Sequence, residues 1–238
     1  MNPPFNLKGG VLIIGSLLWD DALNNNDKIR KKWRKMRLQS DKKILVKLPI
    51  RYGRLSNNNI FTMLFSMNCE RYNQYGTGYI IPFKSNPFNT HRQMLYEAKA
   101  LAKAEGIPER LECSWGKVSI IFNPKLSQEL KERVLNVWKL KFHKLDQKDY
   151  RLGNEKPCLN KNFELSISWP KCIFSRSRSV LSELDFLLAT ATKPNKKDYP
   201  TSLDIAAKVR QDKIRYYFAQ NIQSGITTFQ DREIIKYL

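Results

Sequence analysis

The sequence predicts an α+β protein with a mixed, largely antiparallel sheet or partial barrel, flanking helices and a C-terminal α/β extension. Three observations carry that reading. Residues 11–18 are apolar without polar alternation and precede a polar, turn-prone stretch, as a strand buried on both faces requires. Residues 43–54, 60–67 and 75–84 are rich in β-branched and aromatic residues and are separated by turns containing Asn or Gly, the pattern of successive antiparallel strands. Other segments repeat their apolar residues at the period of amphipathic helices.

In chain order, residues 11–18 form the central strand, and Gly15 and Ser16 interrupt its end. Residues 27–38 form a helix in which Ile29, Trp33 and Met36 fall at i, i+4 and i+7 while nearly every other position is Lys or Arg, with Asp27 placed to cap it. The strands at 43–54, 60–67 and 75–84 follow. Residues 89–105 are helical, with Gly106 in the usual stop position and Pro108 just beyond. Residues 115–122 make another strand, ending at Asn123-Pro124, and residues 126–143 another helix with Leu130, Val134, Val137, Trp138 and Leu140 available for its core side. These elements form a first unit over 1–143. Residues 144–162 are polar, contain Gly153 and Pro157, and are expected to form a linker or long surface loop. Beyond it, a segment at 163–169, a strand at 185–192 and a helix at 201–221 are expected as an extension, 163–238, packed on that core.

Composition excludes several classes. With 238 residues, 42% of them hydrophobic and 27% charged, the chain is able to bury a core and lacks the profile of a disordered protein. The longest apolar run, 11–19, is broken by Gly15 and Ser16 and closed by Asp20-Asp21, far short of the roughly 20 residues a bilayer crossing needs. No membrane span and no secretory leader are expected. Cys69, Cys113, Cys158 and Cys172 lie far apart without a CxxC pair, and only His91 and His143 stand by as soft ligands. Reduced thiols in a cytoplasmic protein are expected, with neither a metal nor a cofactor. Lys and Arg number 42 against 22 Asp and Glu, a formal charge of +20 whose field would attract nucleic acid, an anionic membrane or an acidic protein. A bias toward lysine and asparagine, visible in Asn24-Asn25-Asn26 and Asn57-Asn58-Asn59, would raise the charge without any such partner.

Two constellations bear on chemistry. A glycine at the end of a buried strand lets a ligand approach the backbone, and the amides of Ser16 and Leu17 can then donate to a carboxylate or carbonyl; the alternative is an ordinary bulge where Gly15 relieves crowding. On the helix at 89–105, Met94, Ala98 and Leu101 form a core-facing stripe, and the next step of four reaches Glu105. Desolvation and the negative end of the helix dipole would both raise the pKa of that carboxyl, as a general base and acid near neutrality requires. Glu97, at the edge of the stripe, is the alternative candidate.

Gly15-Ser16-Leu17 after a buried strand, the pair Trp33-Arg34, the strand Gly76-Thr77-Gly78-Tyr79-Ile80-Ile81-Pro82 and the segment Leu101-Ala102-Lys103-Ala104-Glu105-Gly106 resemble, in order and local pattern, the gamma-glutamylcyclotransferases over residues 11–106. In that family a tyrosine-glycine-serine-leucine loop holds the gamma-glutamyl group by its amides, and a glutamate in a leucine-x-x-x-glutamate-glycine segment exchanges the proton. Ile14 stands where the family has the tyrosine. The resemblance implies that Gly15, Ser16 and Leu17 seat a small gamma-glutamyl or related amide. It also implies that Glu105 takes a proton from the α-amine as that amine attacks the γ-carbonyl, then returns it to the leaving amine. A descendant that keeps the ligand pocket without the reaction is the alternative left by Ile14.

A competing expectation is a nucleic-acid-binding protein. Lys28, Arg30, Lys31, Lys32, Arg34, Lys35 and Arg37 face no acid between residues 28 and 38, and such a face would hold phosphates; Arg51 and Arg54 could add contacts. Residues 215–218, Arg-Tyr-Tyr-Phe, would suit stacking on bases or simply belong to the core. Asp20, Asp21 and Asp185 suggest a magnesium site only weakly. The Gly-x-Ser-x-Gly elbow, the P-loop and the dinucleotide fingerprint are absent.

Overall fold

The apolar run at the start of the chain becomes β1 (Gly9–Ile13), all five residues buried, in a computed structural model that describes residues 5–21, 25–107, 111–140 and 147–238. A 3-10 turn (Ser16–Leu18) and α1 (Asn25–Arg37) follow, then β2 (Ile44–Leu48), β3 (Ile50–Leu55), β4 (Phe61–Phe65), α2 (Met67–Arg71) and β5 (Gly76–Pro82). Next come α3 (His91–Ala104), β6 (Glu112–Cys113), β7 (Gly116–Phe122), α4 (Gln128–Lys139), β8 (Lys171–Cys172), α5 (Arg178–Ser182), β9 (Phe186–Thr192), α6 (Ser202–Val209), α7 (Asp212–Gln223) and α8 (Asp231–Lys236).

The class is mixed α+β. Seven strands lie in the order β6-β7-β9-β1-β5-β2-β8, and β3 with β4 makes a separate hairpin. All neighbours in the large sheet are antiparallel except β1 and β9. The sheet is open. Its edge strands β6 and β8 are two residues each, too short to pair across and close a barrel.

β1 is central, as its unbroken apolarity predicts, and its alternate side chains feed two cores. Val11 and Ile13 pack with Trp33 of α1, Met94, Ala98 and Leu101 of α3, and Val134 and Trp138 of α4. Leu12 belongs to the other core, built with Tyr52, Phe61 and Met63 of the hairpin and Ile205, Val209, Phe218 and Ile234 of the last three helices. Gly9 is required by packing, since a Cβ there would sit 2.3 Å from the ring of Phe186.

Several boundaries differ from expectation for local reasons. Residues 43–54 are two strands, because Pro49 has no N–H for the ladder and the chain leaves the sheet there for the hairpin. In α1 the inner face keeps Trp33, whereas Met36 is 58% exposed. Asp27 lies inside α1, which begins at Asn25. Leu140 is solvent-facing just past α4. Residues 201–221 form two helices, with a break at residues 210–211.

The larger difference concerns 144–238. Residues 141–146 lie outside the described residues, but Tyr150, Leu152, Glu155, Cys158 and Leu159 are buried, so the polar stretch is packed against the second core and is not a bare linker. The strand expected in an appended unit at 163–238 is β9, which lies between β7 and β1, with Leu12 opposite Ala189. Residues 163–238 therefore supply a central strand of the sheet. A parallel pair needs no closeness in sequence, so local pattern alone cannot place it. Among the described residues, no helix is long and apolar enough to cross a membrane.

Candidate functional site

β1 and β9 run side by side in the same direction. A cavity of about 470 Å³ lies beyond their carboxyl ends, where a parallel pair leaves a crevice. One wall is the turn Ile14 to Leu17 with Arg30, Glu105 and Tyr217; the other is the β3–β4 hairpin with Arg54, Ser56, Asn57, Asn58 and Thr62. Thr190 and Thr192 of β9 lie in the lining as well.

In the turn, Gly15 O accepts from Leu18 N at 3.0 Å, and Ser16 O accepts from Trp19 N at 3.1 Å and Asp20 N at 2.8 Å. The turn thus uses its carbonyls internally, while the first amides of a helical turn, those of Ser16 and Leu17, are the donors it leaves over. Gly15 is extended, and a Cβ added to it would meet only Tyr217 Oη at 3.4 Å. Relief of crowding is therefore not its role. Beside this strand end the crowded position is instead Gly78 of β5, whose Cβ would lie 2.6 Å from Ile13 O.

Glu105 is the residue that caps α3, and Gly106, at φ +82°, ends the helix in the left-handed conformation that favours glycine. Burial pushes the Glu105 carboxyl above its ordinary range, opposed by the nearby Arg30 guanidinium and by the proximity of Thr190. Thr190 Oγ1 is buried and completes no hydrogen bond with a described residue. That leaves the elevated Glu105 carboxyl at the cavity wall, able to exchange a hydrogen bond with a ligand.

Arg30 ties the wall together. Its Nε donates to Ala104 O at 3.2 Å, and its Nη1 donates to Ser16 Oγ at 3.3 Å and Asp20 Oδ2 at 2.8 Å. A cation at the last carbonyls of α3 also complements the helix dipole. Arg34 donates to Leu17 O and Asp21, and to Asp20 O at 3.2 Å. These two arginines hold the Gly15-Ser16-Leu17 turn from behind.

The basic candidates consequently separate. Arg30 and Arg54 reach the cavity, and Arg34 and Arg37 pair with Asp21 and Glu97. Lys28, Lys31 and Lys35 are exposed on the outer side of α1, Lys31 within 3.3 Å of Asp21. Arg51 lies elsewhere, 3.8 Å over the Tyr199 ring, beside a buried Glu155 that accepts from Ser66 Oγ at 2.8 Å. The acids absent from residues 28–37 are thus supplied by the turn and by α3.

Glu97 does not line the cavity. It is 3% exposed and takes Arg37 Nη1 at 3.1 Å and Ser85 Oγ at 3.0 Å, a structural pair between α1 and α3. Asp20 and Asp21 serve the arginines, and Asp185 accepts from Lys8 N at 2.7 Å, so the three do not converge. No group of three or more His, Cys, Asp or Glu suited to a metal occurs among the described residues.

Tyr217 is the residue that sequence reading assigns most readily to the core. Its hydroxyl faces Gly15, and burial pushes its pKa up to about 12, so it stays a neutral donor at physiological pH. α7 brings it there, with Trp19 stacked edge-on at 5.7 Å. It places a phenol beside the turn although residue 14 is isoleucine. A readable signal for the arginines existed too: Arg30, Arg34 and Arg37 recur at i, i+4 and i+7, whereas Lys28, Lys31, Lys32 and Lys35 fall off that spacing.

No family model, curated protein or solved structure matches the chain.

Proposed function

We propose that this chain is a gamma-glutamylcyclotransferase-like enzyme, with that family's fold for its core, acting on a gamma-glutamyl or related amide. The observation that carries the reading is the meeting of Glu105, its carboxyl elevated by burial, with Gly15, Ser16 and Leu17 around one cavity. The resemblance made these the general base and the substrate cradle, and they are some 90 positions apart in the chain.

In this reaction the α-amine nitrogen of the gamma-glutamyl group attacks the γ-carbonyl carbon. Glu105 removes a proton from that nitrogen as the new C–N bond closes the five-membered ring. Charge developing on the carbonyl oxygen is met by the amides of Ser16 and Leu17. Glu105 then returns the proton to the departing amine nitrogen as the old C–N bond breaks, giving 5-oxoproline and a free amine. A carboxyl raised by burial suits this role, because it is a stronger base when ionised and, once protonated, holds the proton until the departing amine takes it.

The test is to incubate the protein with gamma-glutamyl dipeptides and with glutathione and to measure 5-oxoproline. Wild type should form it, and Glu105→Gln should lose at least about 100-fold in rate. No product from wild type, or equal product from the variant, rejects the mechanism.

A further inference from the structure

Among the described residues, Arg54 is a cation of the cavity wall with no carboxylate partner. Arg30, the other arginine there, is neutralised by Asp20 and sits against Glu105. Arg54 donates from Nη1 to Lys193 O at 2.9 Å and to no acid among the described residues. A guanidinium carries five N–H donors, so most of its capacity remains for a ligand. Burial is the main influence on it, and it holds the guanidinium below its usual range.

Its orientation is built into the hairpin. Tyr52 is paired with Met63 and Arg54 with Thr62, so Gly53 is an extra residue in the ladder. A Cβ at Gly53 would lie 2.6 Å from Leu64 Cδ2, so the bulge accepts no larger residue without a shift. Simple alternation would put Arg54 on the face of buried Tyr52; the one-residue slip puts it on the opposite face, the re-aiming that bulges beside sites produce. The bond to Lys193 O then anchors the side chain to the end of β9. Ser56, Asn57 and Asn58 line the same cavity with neutral polar groups. This wall is assembled from different elements than the Glu105 wall, and no hydrogen bond links Arg54 to Gly15, Arg30 or Glu105 among the described residues.

We propose that Arg54 binds a carboxylate on the leaving amine, so that the cavity selects gamma-glutamyl amino acids or peptides with a free carboxylate over gamma-glutamyl amides that lack it. This rests on the reading of the Glu105 wall as the gamma-glutamyl seat. With the acyl group placed there, the amine component extends toward the hairpin, and a planar guanidinium matches a carboxylate with two parallel hydrogen bonds.

The test compares gamma-glutamyl-alanine with gamma-glutamyl-alaninamide, which differ only in that carboxylate, on wild type, Arg54→Gln and Glu105→Gln. Wild type should prefer the free acid by about 10- to 100-fold in kcat/KM, the value of one charge-assisted contact. Arg54→Gln should erase the preference by lowering turnover of the acid while leaving the alaninamide within about threefold of wild type. A merely structural Arg54 would lower both substrates together, and that result overturns the proposal, as does an equal rate on both by wild type. If wild type turns over neither compound, the gamma-glutamyl reading itself fails, and if both are turned over without preference only the role of Arg54 fails. Circular dichroism of Arg54→Gln confirms that the compared proteins are folded.

Discussion

Removing Arg30 tests whether one side chain holds the turn, the end of α3 and the Glu105 environment together. In Arg30→Met the methionine keeps an aliphatic stem, so packing changes little and the loss is mainly polar. The bond to Asp20, at 2.8 Å between side chains 18% and 20% exposed, is partly screened and is worth about 1.5 kcal/mol, the low end for a charged hydrogen bond. The longer bonds to Ala104 O and Ser16 Oγ add about 0.5 kcal/mol each, for a total near 2.5 kcal/mol. For a chain of this length each kcal/mol lowers Tm by about 2–4 °C. Thermal and urea unfolding should therefore show a fall of about 5–10 °C, and a double-mutant cycle with Asp20→Asn should return a coupling of about 1 kcal/mol. A variant as stable as wild type, or strict additivity with Asp20→Asn, would refute the claim that Arg30 organises this wall.

Three further outcomes follow from the same geometry. Because burial raises the folded-state pKa of Glu105, its contribution to stability is complete below the unfolded carboxyl value of about 4.3 and is lost as pH rises through the folded value. Glu105→Gln should accordingly be more stable than wild type at pH 7 and indistinguishable near pH 4; denaturant unfolding at the two pH values checks it, and a less stable variant at pH 7 contradicts the assignment. Gly76→Ala would put a Cβ 2.1 Å from Thr227 O and 2.9 Å from Ile50 Cγ1, costing about 3 kcal/mol or more, whereas Gly15→Ala should change stability by no more than about 0.5 kcal/mol; equal losses in a melting comparison would count against both. Lys28, Lys32 and Lys35 are exposed and pair with no acid among the described residues, so the triple glutamine variant should keep its stability within about 0.5 kcal/mol and, under the proposed function, form 5-oxoproline at the wild-type rate; a slower variant would show that the outer face of α1 serves the proposed reaction.

Much of this protein is written in local pattern. The unbroken apolar run of β1 demands burial on both faces wherever the chain folds, since each alternate side chain needs an apolar neighbour. The stripe Met94, Ala98, Leu101 orients α3, and Gly106 ends it at Glu105; both depend only on helical period and on the left-handed freedom of glycine. The sequence by itself therefore determined that Gly15 and Glu105 close two buried elements.

Tertiary structure decided what those ends face. β9 joins β1 as a parallel neighbour from the far end of the chain, a pairing with no local signature, and so residues expected in an extension complete the sheet and help to line the cavity. The charge of α1 was legible but its allocation was not: Asp20, Asp21 and Glu97 come to its arginines from other segments, leaving Lys28, Lys32 and Lys35 to solvent. Arginine is favoured at such half-buried seams because its weakly hydrated fork bonds several acceptors at once, whereas lysine keeps its hydration. Arg54 and Tyr217 entered the site by the same route, through a one-residue slip in a hairpin and the docking of α7, since side-chain direction in space follows from packing between elements and not from position along the chain.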